Sequence, residues 1–84
     1  MAREDGKRGQ MAQEELDLRG LKCPLPALMT RKKLMAAPSG AQLRVLTDDP
    51  MAPIDVPHMC RQENFDVVKV ERNGDGACMI LRKP

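Results

Sequence analysis

The chain has 84 residues, enough for one small domain and too few for the deep cleft of a large enzyme. Its 14 basic and 12 acidic residues nearly cancel to a net charge of +2, and Phe65 is the sole aromatic residue, which argues against direct nucleic-acid binding. Because no apolar run could span a membrane and the three cysteines do not suggest a disulfide framework, we expect a protein of the reducing cytoplasm without direct membrane insertion.

The N-terminal part of the sequence divides into a tail and the first structural elements. Residues 1–15 are highly charged and lack a hydrophobic period, which predicts a disordered tail, so that residues 16–84 make a single domain. Apolar and polar residues alternate over 16–19, as in a half-buried strand. A helix is predicted over 24–37, and the Pro-Ser-Gly run that follows should end it. Its periodicity places a set of mainly apolar residues near one face, where the methionines are expected to fill the core: Leu25, Leu28, Met29, Lys32 and Met35.

The second half predicts one strand, one helix and a hairpin. A strand is expected over 42–47, where alternation places Leu43 and Val45 on one face. A helix is expected over 51–63, which Pro57 should shorten or kink. Two valine-rich or alternating strands follow at 65–71 and 77–82, joined by an Asn-Gly-Asp-Gly run that is typical of a hairpin turn.

The order of these elements is β-α-β-α-β-β, and it predicts the fold class. A strand–helix–strand unit normally makes its two strands parallel, whereas a hairpin makes its strands antiparallel. We therefore predict an α/β (α+β) two-layer sandwich, in which a four-stranded mixed sheet carries both helices on one face.

The run Cys23-Pro24-Leu25-Pro26 marks the expected start of the first helix. Prolines have no N–H, so Cys23 is predicted to be the helix cap and its thiolate to accept a hydrogen bond from Leu25. The helix dipole should then lower the pKa of Cys23, and a thiolate is the form that attacks another sulfur. The residues therefore indicate a thiol that accepts a sulfur atom, and the alternative is an inert, buried cysteine.

The other candidate ligands and thiols have plainer interpretations. His58 and Cys60 form a His-x-Cys pair, but the sequence has no Cys-x-x-Cys spacing, so we expect no metal site. Cys60 on a helix and Cys78 in the last strand, where alternation groups it with Ile80, are expected to pack.

Residues 18–26 (Leu18-Arg19-Gly20-Leu21-Lys22-Cys23-Pro24-Leu25-Pro26) resemble the TusA/SirA family of sulfur-carrier proteins, whose signature is Cys-Pro-x-Pro after a first strand that ends in glycine. The resemblance continues through Thr47-Asp48-Asp49-Pro50 and Asp55-Val56-Pro57 and covers about 16–84. It implies a fold of two helices on a four-stranded sheet, in agreement with the pattern above.

The resemblance also implies a function for Cys23. Its thiol would receive sulfur from the persulfide of a pyridoxal-phosphate-dependent cysteine desulfurase or of a rhodanese-like donor, and would pass it to an acceptor protein. In some relatives the sulfur ends in tRNA thiolation, in others in molybdenum-cofactor or sulfur-oxidation pathways. Such a protein is a stoichiometric carrier rather than a turnover enzyme and needs no cofactor of its own.

Five charged residues are candidates for partner binding: Arg19, Lys22, Arg31, Asp48 and Asp49. A solvated position near the end of the first helix would by itself explain Arg31 and is slightly favoured. Arg19 and Lys22 should also add positive charge beside the thiol, whereas capping of the second helix would by itself explain Asp49. Two alternatives to a sulfur carrier stay open at this point. One is a small binding or regulatory module that contacts RNA or protein without chemistry at Cys23, and the other is a thiol-redox protein.

Overall fold

The computed structural model describes residues 13–74 and 76–84, and it has the six elements in the predicted order. They are β1 (Gln13–Asp17), α1 (Leu25–Ala36), β2 (Gln42–Thr47), α2 (Ala52–Gln62), β3 (Asp66–Asn73) and β4 (Gly76–Arg82). In the described part of the chain, no helix is both long and apolar enough to cross a membrane.

The four strands form one mixed sheet in the order β1-β2-β4-β3. β1 pairs with β2 in parallel, and β4 is antiparallel to β2 on one side and to β3 on the other. The predicted mixed sheet is therefore confirmed, including the hairpin, in which Asn73 pairs with Gly76. A shift in register between Val67 and Lys69, which the sequence did not indicate, interrupts β3.

β1 lies earlier in the chain than expected. It begins at Gln13 and ends at Asp17, because its parallel register with β2 starts at the pair Gln13 and Gln42. Residues 13–15, which were assigned to the tail, thus belong to the sheet. The remainder of the predicted tail, residues 1–12, lies outside the described residues.

One face of the sheet is buried by both helices. Side chains that alternate along β2 and β4 meet in register on this face: Leu43 with Leu81, Val45 with Met79, and Thr47 with Ala77. The first two of these pairs pack in one cluster with Leu34 of α1 and Val56 and Cys60 of α2. The other face of the sheet carries Arg44, Cys78 and Ile80, which are exposed or half-buried, so the two-layer arrangement is confirmed.

α2 runs unbroken through Pro57, so the expected shortening is wrong. A proline at this position removes a single backbone bond to the preceding turn, and the burial of Pro57 and of its neighbour Val56 stabilises the helix there. The helix ends at Gln62, and two residues later Asn64 has a φ of 64°, which lies in the left-handed region. The N–H of Phe65 then donates to the carbonyl of Cys60 at 2.8 Å, a Schellman ending that brings the buried Phe65 under the helix.

Candidate functional site

The site lies at the edge of the sheet where β1 and β2 end and where both helices begin. Two aspartates of the loop between β2 and α2 hold the loop between β1 and α1. Asp48 Oδ1 accepts from the N–H of Gly20 at 2.8 Å, and Asp49 Oδ2 accepts from the N–H of Cys23 at 3.1 Å. Gly20 has a φ of 94°, a conformation that other residues rarely adopt, so glycine allows this loop to turn.

Cys23 is exposed, and its thiol has one defined partner. The Sγ atom donates to Asp55 Oδ2 at a distance of 2.9 Å, across 32 residues of sequence. Asp55 is half-buried in the first turn of α2, where its N–H donates to the carbonyl of Met51 at 2.8 Å. The backbone and the side chain of Cys23 are thus each held by a carboxylate from the α2 side of the edge.

The start of α1 differs from the prediction. The helix begins at Leu25, and Pro24 stands at the cap position with no side-chain capping bond. The N–H of Leu25 donates to the carbonyl of Lys22 at 2.8 Å, and therefore does not serve the sulfur of Cys23. Cys23 precedes the cap because the chain makes a backbone turn before the helix, and the expectation that Cys23 caps α1 is wrong.

Asp49 does not cap α2 through its side chain either. The helix begins at Ala52 with Met51 at the cap position, and the carbonyl of Asp49 accepts from Ala52 at 3.0 Å. The carboxylate of Asp49 instead turns to the N–H of Cys23 and is almost completely buried. A tertiary contact has therefore replaced the local one that the sequence predicted.

The electrostatic environment of Cys23 is the reverse of the expected one. The hydrogen bond to Asp55 raises the pKa of the Cys23 thiol above its ordinary value, and desolvation and the negative charges of Asp55 and Asp49 act in the same direction. The predicted lowering of this pKa is therefore wrong for the free protein. With a raised pKa, Cys23 is present at neutral pH as a thiol that donates to a carboxylate.

The basic residues expected near the thiol are engaged elsewhere or lie on the surface. Arg19 pairs with Asp17 at 2.7 Å, and its hydrogen bonds lower the pKa of Asp17 to about 2. Arg31 on α1 pairs with Glu63 at 3.1 Å, beyond the end of α2. Lys22 is exposed in the Cys23 loop. Their expected roles in partner binding stay predictions.

An apolar patch lies at the starts of the two helices, beside the Cys23 loop, and of its residues the sequence favoured only Met51 as a contact surface. Large side chains that are 42–53% exposed stand in the first turns of α1 and at the start of α2: Leu25, Leu28, Met29, Met51 and Ile54. Periodicity assigned Leu25, Leu28 and Met29 to one inward face of α1, but the buried residues of that helix are Pro26, Thr30 and Leu34. Asp55 was also missed as a site residue, although its place in the first turn of a helix that starts at this edge was a usable signal.

The other two cysteines lie away from this edge, and all three thiols are free. Cys60 is fully buried in the core, as expected for a packing residue, and burial raises its pKa to about 11. Cys78 shares a face with Ile80 as predicted, but that face is the open side of the sheet, where Cys78 Sγ accepts from Arg44 Nε at 3.3 Å. The described residues contain no cluster of three or more side chains suited to a metal ion.

Comparison with known proteins supports the family indicated by the Cys-Pro-x-Pro run. The family model described as "Sulfurtransferase TusA" matches residues 14–83. A candidate sulfur carrier protein of Archaeoglobus fulgidus is 40% identical over 83 residues, which cover 99% of this chain and 94% of that protein. The crystal structure of a SirA-like protein from Desulfitobacterium hafniense superposes with a TM-score of 0.66 at 19% identity, over 81% of this chain and 92% of that one, and so confirms the fold. The chain belongs to the TusA family of sulfurtransferases.

Proposed function

We propose that this protein is a sulfur carrier that holds a sulfane sulfur atom as a persulfide on Cys23. The observation that carries the proposal is an exposed thiol in a Cys-Pro-x-Pro run, at the helix-lined edge of a domain of the TusA family. The donor would be a cysteine desulfurase or a rhodanese-like protein, and the acceptor a thiol of a second protein. The acceptor would belong to a sulfur-trafficking pathway such as tRNA thiolation, and the reducing cytoplasm is the compartment that would keep such a thiol free.

The proposed reaction is an exchange between a thiol and a persulfide. The sulfur of Cys23 attacks the terminal sulfur of the donor persulfide, a new S–S bond forms on Cys23, and the donor S–S bond breaks. The donor's inner sulfur leaves as a thiolate with the electron pair. Delivery repeats this exchange with the acceptor thiol as the attacking group, so neither step needs a cofactor and the carrier acts once for each sulfur atom.

Pro24, Leu25 and Pro26 would position the thiol. Pro26 is buried under the first turn of α1, and Leu25 closes the turn onto Lys22 through its N–H. Two prolines limit the backbone freedom of this segment, which favours one location of Cys23 relative to the edge of the sheet. These residues therefore act on the sulfur through the backbone.

The apolar patch is the surface on which we expect partners to dock. A partner must bring its own sulfur into bonding distance of Cys23 Sγ, and must then cover Leu25, Leu28 and the start of α2. Exposed apolar surface of this kind, next to a reactive group, favours association. Because donor and acceptor need the same sulfur, they would bind one at a time, with Lys22, Arg19 and Arg31 at the margin of the contact.

The alternative is a small binding or regulatory module of this fold in which Cys23 has no chemical role. The exposure of Cys23 and its contact with Asp55 favour the carrier over that alternative, since an inert cysteine is normally buried.

The test is to load the protein with sulfur and to measure its intact mass. The full chain is incubated with a cysteine desulfurase and free cysteine, and intact mass analysis should show the gain of one sulfur atom, which a reducing thiol removes. Peptide analysis should place that atom on Cys23, and the matched variant Cys23→Ser should gain none. A wild-type chain that stays unmodified with a desulfurase, a rhodanese and glutathione persulfide would overturn the proposal.

A further inference from the structure

Asp55 is the titratable side chain that hydrogen-bonds the reacting sulfur. Its Oδ2 atom lies 2.9 Å from Cys23 Sγ, within the range of a direct proton transfer. The carboxylate is fixed by the first turn of α2, and the Cys23 backbone is fixed by Asp49 at 3.1 Å. Because Asp55 and the Cys23 backbone are both held in place, the 2.9 Å contact between Oδ2 and Sγ is a feature of the free protein.

The proposed exchange requires the movement of one proton. A persulfide is more acidic than the corresponding thiol, so a donor at neutral pH carries its persulfide largely as the anion. The balanced step converts the Cys23 thiol and the donor persulfide anion into a Cys23 persulfide anion and a donor thiol. The net charge is unchanged, the sulfane sulfur changes partner, and the proton of Cys23 must end on the donor's inner sulfur.

We propose that Asp55 carries this proton: its carboxylate accepts the hydrogen of the Cys23 thiol as the new S–S bond forms, and releases it to the departing donor sulfur. The inference rests on the proposed function and adds a catalytic residue to it. On delivery, Asp55 returns a proton to Cys23 from the attacking acceptor thiol.

The other charged groups at the edge have different positions. Asp48 and Asp49 accept from backbone N–H groups of the Cys23 loop. Arg19 is paired with Asp17, Lys22 is exposed in the loop, and His58 is exposed on α2. Asp55 thus combines contact with Sγ and enough exposure to meet a partner's sulfur.

The raised pKa of Cys23 agrees with the assignment of Asp55, rather than Asp48 or Asp49, to the contact with the thiol. The contact with Asp55 is the largest cause of that rise, so the carboxylate keeps the resting sulfur protonated and slow towards electrophiles in solution. A residue that only suppressed the thiol would slow sulfur uptake, whereas a proton carrier speeds it. The two roles predict opposite effects of removing the carboxylate.

The experiment compares Asp55→Asn with the wild-type protein in two assays on Cys23. The amide oxygen of the variant still accepts from the thiol, so the location of the sulfur is kept while the proton acceptor is lost. The first assay is the rate of alkylation by iodoacetamide against pH, read on the Cys23 peptide. Its midpoint should fall in the variant because the negative charge is gone.

The second assay is sulfur uptake from glutathione persulfide at neutral pH in a single turnover. We expect the variant to take up sulfur roughly tenfold or more slowly, within the range of a general base, although more of its Cys23 is ionised. Asp55→Glu, which keeps a carboxylate, should recover part of the rate. Glu71→Gln, on β3 and paired with Lys69 in the wild type, controls for the loss of one negative charge away from the site. Thermal unfolding shows that each variant is folded.

Uptake by Asp55→Asn that equals or exceeds wild type would overturn the role of Asp55 and leave the carrier function standing. Failure of the wild-type chain itself to take up sulfur would overturn the proposed function. The two failures are therefore distinguishable in one set of measurements.

Discussion

Cys23 and Cys60 are two thiols of one small domain, and both have a pKa above that of an ordinary thiol. At Cys60 the cause is burial, which raises the pKa to about 11 in a core where the residue is 0% exposed. At Cys23 the first cause is the hydrogen bond to Asp55, and the residue is exposed. Both thiols are therefore protonated at neutral pH. A partner that binds at the surface could alter the hydrogen bond of Cys23 but not the burial of Cys60.

The difference shows which of the two protons can be released without unfolding. The proton of Cys60 is held by the packing of α2 against the sheet, so it persists as long as the fold does. The proton of Cys23 is held by one half-buried carboxylate on the surface. A partner that displaces Asp55 from Cys23 would therefore change the protonation of that thiol, whereas it would leave the protonation of Cys60 unchanged.

The largest expected effect separates the two thiols by function. Cys23→Ser should abolish the gain of sulfur from a desulfurase, whereas Cys60→Ala should load fully, because the Cys60 sulfur does not reach the surface. Intact mass analysis after loading measures both. Loss of loading in Cys60→Ala, with a native circular dichroism spectrum, would show that the buried thiol takes part in transfer.

The second prediction extends the comparison to two leucines of α1. Leu34 is 1% exposed and Leu28 is 53% exposed, so Leu34→Ala should lower the free energy of unfolding by about 2–5 kcal/mol and Leu28→Ala by less than about 0.5 kcal/mol. Urea denaturation followed by circular dichroism measures both values.

Leu28→Ala should instead affect docking. We expect uptake of sulfur from a desulfurase to fall more than uptake from glutathione persulfide, because the small donor does not need the apolar patch. An equal fall with both donors would contradict the assignment of the patch as a docking surface.

The sequence predicted most of the fold because its signals are local. The alternation along β2 and the glycine-rich hairpin turn act within a few residues, and the structure agrees with both. The prediction that Cys23 caps α1 used the same kind of local signal and was wrong. The group that sets the state of Cys23 is Asp55, 32 residues away, and no spacing rule within the Cys-Pro-x-Pro run could locate it.

The predicted burial of the apolar face of α1 was wrong for a related reason. Periodicity identifies which residues share a side of a helix, but it assumes that this side is buried. The side of α1 that faces the core carries Pro26, Thr30 and Leu34, which follow one another at intervals of four residues, whereas Leu25, Leu28 and Met29 lie on another side and stay exposed. Which side of a helix faces the sheet depends on the tertiary arrangement, and the family resemblance, not the periodicity, identified the function at this edge.

The third prediction uses the pH dependence of Cys60. The unfolded chain loses this proton near pH 8.5, the usual pKa of a thiol, while the folded chain keeps it until about 11. Since the unfolded state binds fewer protons in this window, stability falls as pH rises, by up to about 1.4 kcal/mol per pH unit from this group.

Cys60→Ala should remove that part of the slope, because the lysines and Cys23 are common to both proteins. The lost packing shifts the whole stability curve and leaves its slope otherwise unchanged. Urea denaturation at several pH values between about 8 and 10 gives the comparison. Equal slopes in the two proteins would mean that Cys60 ionises in the folded state as easily as in the unfolded one.

The smallest effect is expected at Cys78, whose solvent exposure is intermediate between that of Cys23 and that of Cys60. It is half-buried on the open face of the sheet, and Arg44 Nε donates to its sulfur at 3.3 Å. A serine hydroxyl can accept the same bond and removes little packing, so Cys78→Ser should change the free energy of unfolding by no more than about 0.5 kcal/mol. Sulfur loading should equal that of wild type, because Cys78 lies in β4 on the face opposite the helices. Urea denaturation and mass analysis of one preparation test both points, and a loss above about 1 kcal/mol would show that the open face packs more tightly around Cys78 than its half-burial indicates.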